Sequence, residues 1–67
     1  MSGKKAWWPE LIGAPATPAV MAINHDRPDV AVEVLPPGAP FEPGFNPERV
    51  DLFIDGGGMV LYVPIVG

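Results

Sequence analysis

Apolar and polar residues alternate along two stretches of the chain with the period of a β-strand. Every second position is valine in residues 29–35, and residues 49–55 repeat the alternation with valine, leucine and isoleucine. A third apolar stretch, residues 59–64, follows three glycines at 56–58 that are typical of a hairpin turn. Because successive side chains of a strand point to opposite faces, this pattern predicts three strands, each with one buried face.

A short helix is predicted over residues 17–26, before the first strand. Thr17 suits the N-cap position, and Pro18 suits the first helical position, where a missing N–H costs nothing. Pro28 disfavours a helical conformation at the preceding Arg27 and should end the helix there.

This helix would be apolar nearly all round, which is unusual at the surface of a small domain. Ala19 and Ile23 share the face expected to pack on the sheet, whereas Val20 and Met21 lie off that face. A surface for self-association or for another partner through Val20 and Met21 is one interpretation, and chance is the other.

Residues 36–48, between the first two strands, contain five prolines. Such a segment cannot form a helix, and it shows no strand alternation. Antiparallel strands can be joined by two residues, whereas parallel strands need a connection of about a dozen or more. The length therefore predicts two parallel strands bridged by an extended, proline-stiffened loop. Long loops in small domains are commonly functional. A loop that is already fixed in its binding conformation loses little entropy on binding, so stiffening by proline suits a binding loop.

Composition excludes several classes of function. The chain has 67 residues and a mass of 7.1 kDa, which predicts a single domain over residues 7–67 with a flexible tail over 1–6. Its net charge of −4 disfavours nucleic acid and anionic membranes as partners. With no cysteine and one histidine, it offers neither a disulfide framework nor the parts of a nucleophilic site. We therefore predict no metal, no cofactor and no enzymatic activity.

Two further features leave alternatives open. Glu33, Asp51 and Asp55 alternate with apolar residues, which favours solvated strand faces over a carboxylate pair for hydrolysis. The chain shows no apolar leader and no run of about 18–20 apolar residues, so the cytoplasm and a vacuolar or extracellular location after processing are both open.

Five short strings occur in the order and at the spacing of one known family. They are Trp8-Pro9-Glu10-Leu11-Ile12-Gly13, Asp26-Arg27-Pro28, Val34-Leu35-Pro36-x-Gly38, Arg49-Val50-x-Leu52-Phe53-Ile54-Asp55 and Val63-Pro64-x-Val66-Gly67. On these residues the chain resembles the potato inhibitor I family of serine-protease inhibitors. The alignment needs no gap from Trp8 to Gly67.

The resemblance implies an α+β fold, in which one short helix packs on a small mixed sheet and a long exposed binding loop joins two parallel strands. It implies a serine-type endopeptidase inhibitor, whose loop lies in the protease cleft like a substrate and is cut slowly and resealed. The implied partners are proteases of subtilisin or chymotrypsin type. Plant defence and the response to wounding are the implied setting.

Carried over residue by residue, the resemblance places the reactive bond at Pro43–Gly44. The other binding-loop positions are Gly38, Ala39, Pro40, Phe41, Glu42, Phe45 and Asn46. Two family positions that hold loop-supporting arginines are Arg49 and Asp51 here.

Three departures from the family pattern predict weak inhibition or altered specificity. Pro43 replaces a large apolar residue and has no N–H, and Gly44 adds backbone freedom beside it. Asp51 puts an anion where the family has a cation. We expect Glu42 to compensate in part by pairing with Arg49, although an exposed pair contributes only about 0–1 kcal/mol.

The alternative interpretation is a non-inhibitory binding or self-assembling module on the same scaffold. In either case Phe41 and Phe45 could contact a partner or fold back onto the domain. The sequence favours neither arrangement of the two rings.

Overall fold

The computed structural model describes residues 4–67. Its regular elements are, in chain order, a 3₁₀ turn at Pro9–Leu11, helix α1 at Ala16–Asp26, strand β1 at Ala31–Leu35 and strand β2 at Arg49–Phe53. The two strands pair in parallel, with Ala31 opposite Arg49 and Leu35 opposite Phe53. The α+β class and the parallel orientation expected from the loop length are therefore confirmed. Both strands are shorter than predicted, β1 at its start and β2 at its end.

Helix α1 begins at Ala16, one residue before the predicted start, and Thr17 is not its N-cap. Pro15 occupies that position with φ −62° and ψ 149°, and no side chain caps the helix. One free N–H at the start of the helix, that of Ala16, instead donates to the Gly58 carbonyl at 3.0 Å, so the glycine turn contributes to capping from elsewhere in the chain. Within residues 4–67, no helix is long and apolar enough to span a membrane.

The predicted third strand does not form in the described part of the chain. Residues 59–66 instead make isolated antiparallel bridges to four different positions, in the pairs Trp7–Ile65, Pro15–Met59, Val50–Val66 and Ile54–Val60. The turn before this segment is ordered by Asp55, whose Oδ1 accepts from the N–H groups of Gly57 and Met59 at 2.9 and 3.0 Å. Because the neighbours of the segment change every few residues, its apolar pattern does not become a continuous ladder.

One cluster of buried apolar side chains forms the core. It contains Trp8, Ala19, Ile23, Val30, Val50, Leu52 and Val60. Trp8 is fully buried and donates its indole N–H to Asp26 Oδ2 at 2.9 Å, whereas Trp7 is 58% exposed. Val20 packs against the cluster. The expectation that Val20 lies off the packed face is therefore wrong, and of the two residues only Met21 is exposed, while self-association through them stays a prediction.

Residues 4–6, predicted as part of a tail, contact the rest of the domain. The Lys5 carbonyl accepts from Arg27 Nη1 at 2.9 Å, and the Ala6 carbonyl accepts from the Val66 N–H at 2.9 Å. Residues 1–3 of that predicted tail lie outside the described residues.

Candidate functional site: the proline-rich loop and its support

The loop over residues 36–48 leaves the sheet at the end of β1 and returns at the start of β2. Its residues 40–48 are all exposed. Two glycines turn the backbone in the left-handed region that favours glycine, Gly38 at φ +80° and Gly44 at φ +85°. Between them, residues 40–43 make no backbone hydrogen bond to any described residue. The loop therefore presents an unpaired stretch of backbone between two turns.

Strand β2 supplies the surface beneath the loop. Val50 and Leu52 point into the core, so the alternate residues Arg49, Asp51 and Phe53 point the other way, toward the loop. These three side chains line a pocket of about 640 Å³ together with loop residues Phe41, Glu42, Gly44 and Phe45. The loop thus stands above the sheet and is held at particular points.

Arg49 is the principal support of the loop. Its Nη2 donates to the Gly44 carbonyl at 3.0 Å and to the Gly67 carbonyl at 2.7 Å. The expected pairing with Glu42 is wrong, because the guanidinium reaches these backbone oxygens instead. Its Nε lies 3.5 Å from Asp51 Oδ1, an ion pair in which both atoms are buried and have no hydrogen-bond partner.

Gly67 and Asn46 are support residues that the sequence reasoning missed in this role. The Gly67 carbonyl also accepts from the Asn46 N–H at 3.2 Å, and the Gly67 N–H donates to the Arg49 carbonyl at 2.9 Å. Asn46 Oδ1 accepts from the Glu48 N–H at 2.9 Å. The asparagine before Pro47 was the available signal, because such residues commonly bond the backbone two positions on. No local pattern indicates Gly67.

Three carboxylates meet under the middle of the loop. Glu33 and Asp51 are opposite each other in the parallel register, and Glu42 reaches them from the loop. One oxygen from each lies within 4.8 Å of the others. A hydrogen bond that the protonated Glu33 carboxyl donates to the Glu42 carboxylate, with repulsion from Glu42 and Asp51, raises the pKa of Glu33 above its usual range. The expected solvated face holds for Glu33 but not for Asp51, whose side chain is only 14% exposed.

The two phenylalanines of the loop behave differently. Phe41 folds back onto the domain, with its ring centroid 4.7 Å from that of Phe53 and 5.8 Å from that of Tyr62, although it remains 71% exposed. Phe45 is 74% exposed and lies beside Gly67, where a Cβ atom would come within 3.4 Å of its ring. Both rings are therefore available to a partner.

Pro43 and Gly44 form an exposed bend at the tip of this arrangement. The remaining predicted loop positions, Gly38, Ala39 and Pro40, lie on the arm that rises from β1. Ala39 is tied to this arm by its N–H, which donates to the Pro36 carbonyl at 3.1 Å. The structure thus brings the predicted loop residues together on one exposed arch above Arg49 and Asp51.

Comparison with known proteins assigns this architecture to a family of protease inhibitors. The profile of the potato inhibitor I family matches residues 1–67, so the chain belongs to that family. It is 36% identical over 67 residues to a chymotrypsin inhibitor of Lumbricus terrestris, covering 100% of this chain and 78% of that protein. It is 38% identical over 66 residues to the subtilisin-chymotrypsin inhibitor CI-1B of Hordeum vulgare, covering 98% and 75%.

The fold agrees with a solved inhibitor structure. The crystal structure of bitter gourd trypsin inhibitor matches with a TM-score of 0.91 at 26% identity, covering 97% of this chain and 96% of that one. The family inferred from five short strings is therefore confirmed.

Proposed function

We propose that this chain is a non-enzymatic inhibitor of serine endopeptidases that occupies the protease cleft with residues 38–48. The observation that carries the proposal is an exposed, unpaired loop segment whose return arm is tied to the sheet by Arg49 and Gly67. Relatives that cover nearly the whole chain are named as inhibitors of chymotrypsin and subtilisin, which supports proteases of these types as targets.

Because both ends of the loop are held by the domain, the loop can bind like a substrate and yet inhibit the protease instead of being cleaved and released. The two ends of the loop continue into β1 and β2, which are paired in a single register. After cleavage the new amine would remain near the acyl-enzyme, because Arg49 still holds the Gly44 carbonyl. Holding two reacting groups together makes resealing effectively intramolecular, which favours it strongly over escape of the product.

The loop sequence supports an altered specificity. In the family register Pro43 and Gly44 flank the reactive bond, yet Pro43 offers the protease no N–H and Gly44 lies at φ +85°. Asp51 beneath the loop pairs with Arg49 and lies among the carboxylates of Glu33 and Glu42, where it repels the loop residue Glu42 rather than holding it. Support of the return arm therefore depends on one cation and on the backbone of Gly67.

Inhibition assays with the purified chain test the proposal. The panel contains chymotrypsin, subtilisin, elastase, trypsin and a proline-specific protease, each with a small chromogenic substrate. We expect competitive inhibition of at least one chymotrypsin-type or subtilisin-type enzyme. A folded chain that inhibits none of them, at concentrations where a Kd of about 1 μM would be detected, contradicts the proposal and favours the non-inhibitory module.

A further inference from the structure

We propose that Phe41, rather than Pro43, fills the primary specificity pocket of the target protease, and that Phe41–Glu42 is the bond presented to its catalytic serine. The inference rests on the proposed inhibitory function and names its target class, proteases that cleave after a large aromatic residue. It moves the reactive bond two positions toward β1 from the family register.

The backbone around Phe41 is free of helix and turn over residues 39–42, as the extended conformation of a cleft-bound substrate requires. Gly38 and Gly44 turn the chain at φ +80° and +85°, and no residue between them has a positive φ. Ala39 and Glu42 each precede a proline, which biases both toward extended backbone. Pro40 and Pro43 have fixed φ values of their own. Phe41 therefore lies within the straight stretch over residues 39–42, just before the bend at Pro43 and Gly44.

Phe41 also offers the polar groups that Pro43 lacks. Its N–H and carbonyl make no hydrogen bond within residues 4–67, so both are free to pair with the protease backbone. Pro43 has no N–H, and the residue after it sits in a left-handed turn. If Pro43–Gly44 were the reactive bond, the protease would lose the hydrogen bond from the N–H of the residue in its specificity pocket. It would also have to attack a bond at a turn of the backbone.

The side chain of Phe41 is accessible and partly oriented. It stays 71% exposed while one flank rests on Phe53 and Tyr62. A large aromatic side chain presented on a rigid backbone is the usual form of an energetic anchor in protein complexes. Phe45 is equally exposed but lies beyond the turn at Gly44, outside the extended segment.

The chemistry at this bond conserves every atom of the inhibitor. The serine oxygen adds to the Phe41 carbonyl carbon, the bond to the Glu42 nitrogen breaks, and the protease histidine passes the serine proton to the leaving amine. Gly44, two residues further on, remains bonded to Arg49. The amine therefore stays beside the ester, attacks it, reforms the peptide bond and returns the proton to the serine.

Three matched lysine variants identify the register. Phe41→Lys, Pro43→Lys and Phe45→Lys each place a cation on the exposed part of the same loop, and trypsin has an acidic pocket for such a residue. We expect Phe41→Lys to create trypsin inhibition and the other two to leave trypsin uninhibited. Phe41→Ala should weaken inhibition of chymotrypsin by about 10- to 150-fold, the effect of an unfilled apolar pocket. Met21→Ala, on the exposed side of α1, is the control and should leave it unchanged.

Mass spectrometry of slowly cleaved wild-type chain tests the same bond without any substitution. A new N-terminus at Glu42 supports the inference, and one at Gly44 or Asn46 overturns it while the inhibitory function stands. Trypsin inhibition by Pro43→Lys or Phe45→Lys alone overturns it equally. If the folded wild-type chain inhibits no serine protease, the proposed function fails and this inference fails with it.

Discussion

Individual charged residues of this protein act in opposite directions on its stability. Arg27, only 8% exposed, donates to both carboxylate oxygens of Asp29 at 2.9 and 2.8 Å. These bonds hold the pKa of Asp29 well below its usual range. A hydrogen bond from Lys5 likewise lowers the pKa of Glu10. Glu33 is the exception, because its carboxylate neighbours raise its pKa. Pairing around Arg27 and Lys5 therefore stabilises the fold near neutral pH, whereas the Glu33 cluster opposes it.

The Glu33→Gln variant tests whether the carboxylate cluster destabilises the fold, because its effect on Tm should depend on pH. A carboxyl group with a raised folded-state pKa contributes stability below the ordinary value of 4.5, and that contribution is lost as pH rises through the raised value. Glu33→Gln cannot ionise and should have a higher Tm than the wild type at pH 7, with a smaller difference at pH 4. Thermal unfolding followed by circular dichroism between pH 4 and 8 measures the Tm difference at each pH.

Glu10→Gln is the matched control, since the pKa of Glu10 is lowered. The ionised Glu10 stabilises the fold above pH 4.5, the ordinary pKa of glutamate, and this stabilisation is lost as pH falls. Glu10→Gln should therefore have a lower Tm than the wild type at pH 7, and the two Tm values should become equal in acid. A Tm of Glu33→Gln that is lower than that of the wild type at pH 7, as expected for Glu10→Gln, would contradict the role given to the carboxylate cluster.

Among the elements, β2 connects the core to the loop. Its alternation sends Val50 and Leu52 into the core while Arg49 and Asp51 point under the loop. A rigid strand therefore fixes where the supporting guanidinium can reach. The loop itself has little regular hydrogen bonding, so its conformation depends on Arg49, on Gly67 and on its prolines. Changes on this face of β2 should alter binding more than folding.

The Arg49→Ala variant tests that separation. It removes the bonds to the Gly44 and Gly67 carbonyls, and a hydrogen bond from a charged group contributes about 1.5–3 kcal/mol. Loss of one such contribution from binding corresponds to an inhibition constant raised about 10- to 150-fold. The measurement is the inhibition constant against the most sensitive protease of the panel.

Arg49→Lys provides the comparison variant. Lysine keeps the charge, but its one nitrogen cannot bond both carbonyls and also lie beside Asp51, as the guanidinium does through Nη2 and Nε, so we expect an intermediate loss. Faster cleavage of the loop in Arg49→Ala should accompany weaker inhibition. Equal affinity and equal cleavage in Arg49→Ala and the wild type would show that the loop is ordered without this residue.

The whole molecule depends on one small core in which Trp8 joins the two ends of the chain. The Trp8 N–H donates to the Pro64 carbonyl at 3.0 Å, and its indole bonds Asp26 at the end of α1. A domain of 67 residues has a free energy of unfolding of about 3–10 kcal/mol. Loss of a single large core side chain is therefore comparable with the whole stability.

Trp8→Ala and Trp7→Ala form a matched pair on this point. Removing a buried tryptophan costs about 3–5 kcal/mol, so Trp8→Ala should lose a large part of its free energy of unfolding and unfold at a much lower urea concentration. Trp7 is 58% exposed, and its replacement should change the free energy of unfolding by only about 0.5 kcal/mol. Urea unfolding monitored by circular dichroism distinguishes them. Equal midpoints for the two variants would contradict the central place of Trp8.

Features with local causes could be predicted from the amino-acid sequence. Valine at every second position predicts β1, and Pro28 ends α1 where expected. The length of the proline-rich segment predicts the parallel pairing, because chain geometry forbids a short parallel connection. The five family strings predict the family correctly, and through it they indicate the loop that carries the proposed function.

Contacts between positions far apart in the chain became known from the folded structure. The start of α1 is stabilised by the Gly58 carbonyl, which accepts from the Ala16 N–H, and not by the side chain of Thr17. Arg49 bonds Gly44 and Gly67 rather than Glu42, and Val20 packs on the core. In each case a local pattern offered a nearby partner, and the folded chain brought a better-placed one from elsewhere. Backbone carbonyls carry no residue-type signal, so their use as caps and loop supports cannot be predicted from the amino-acid sequence.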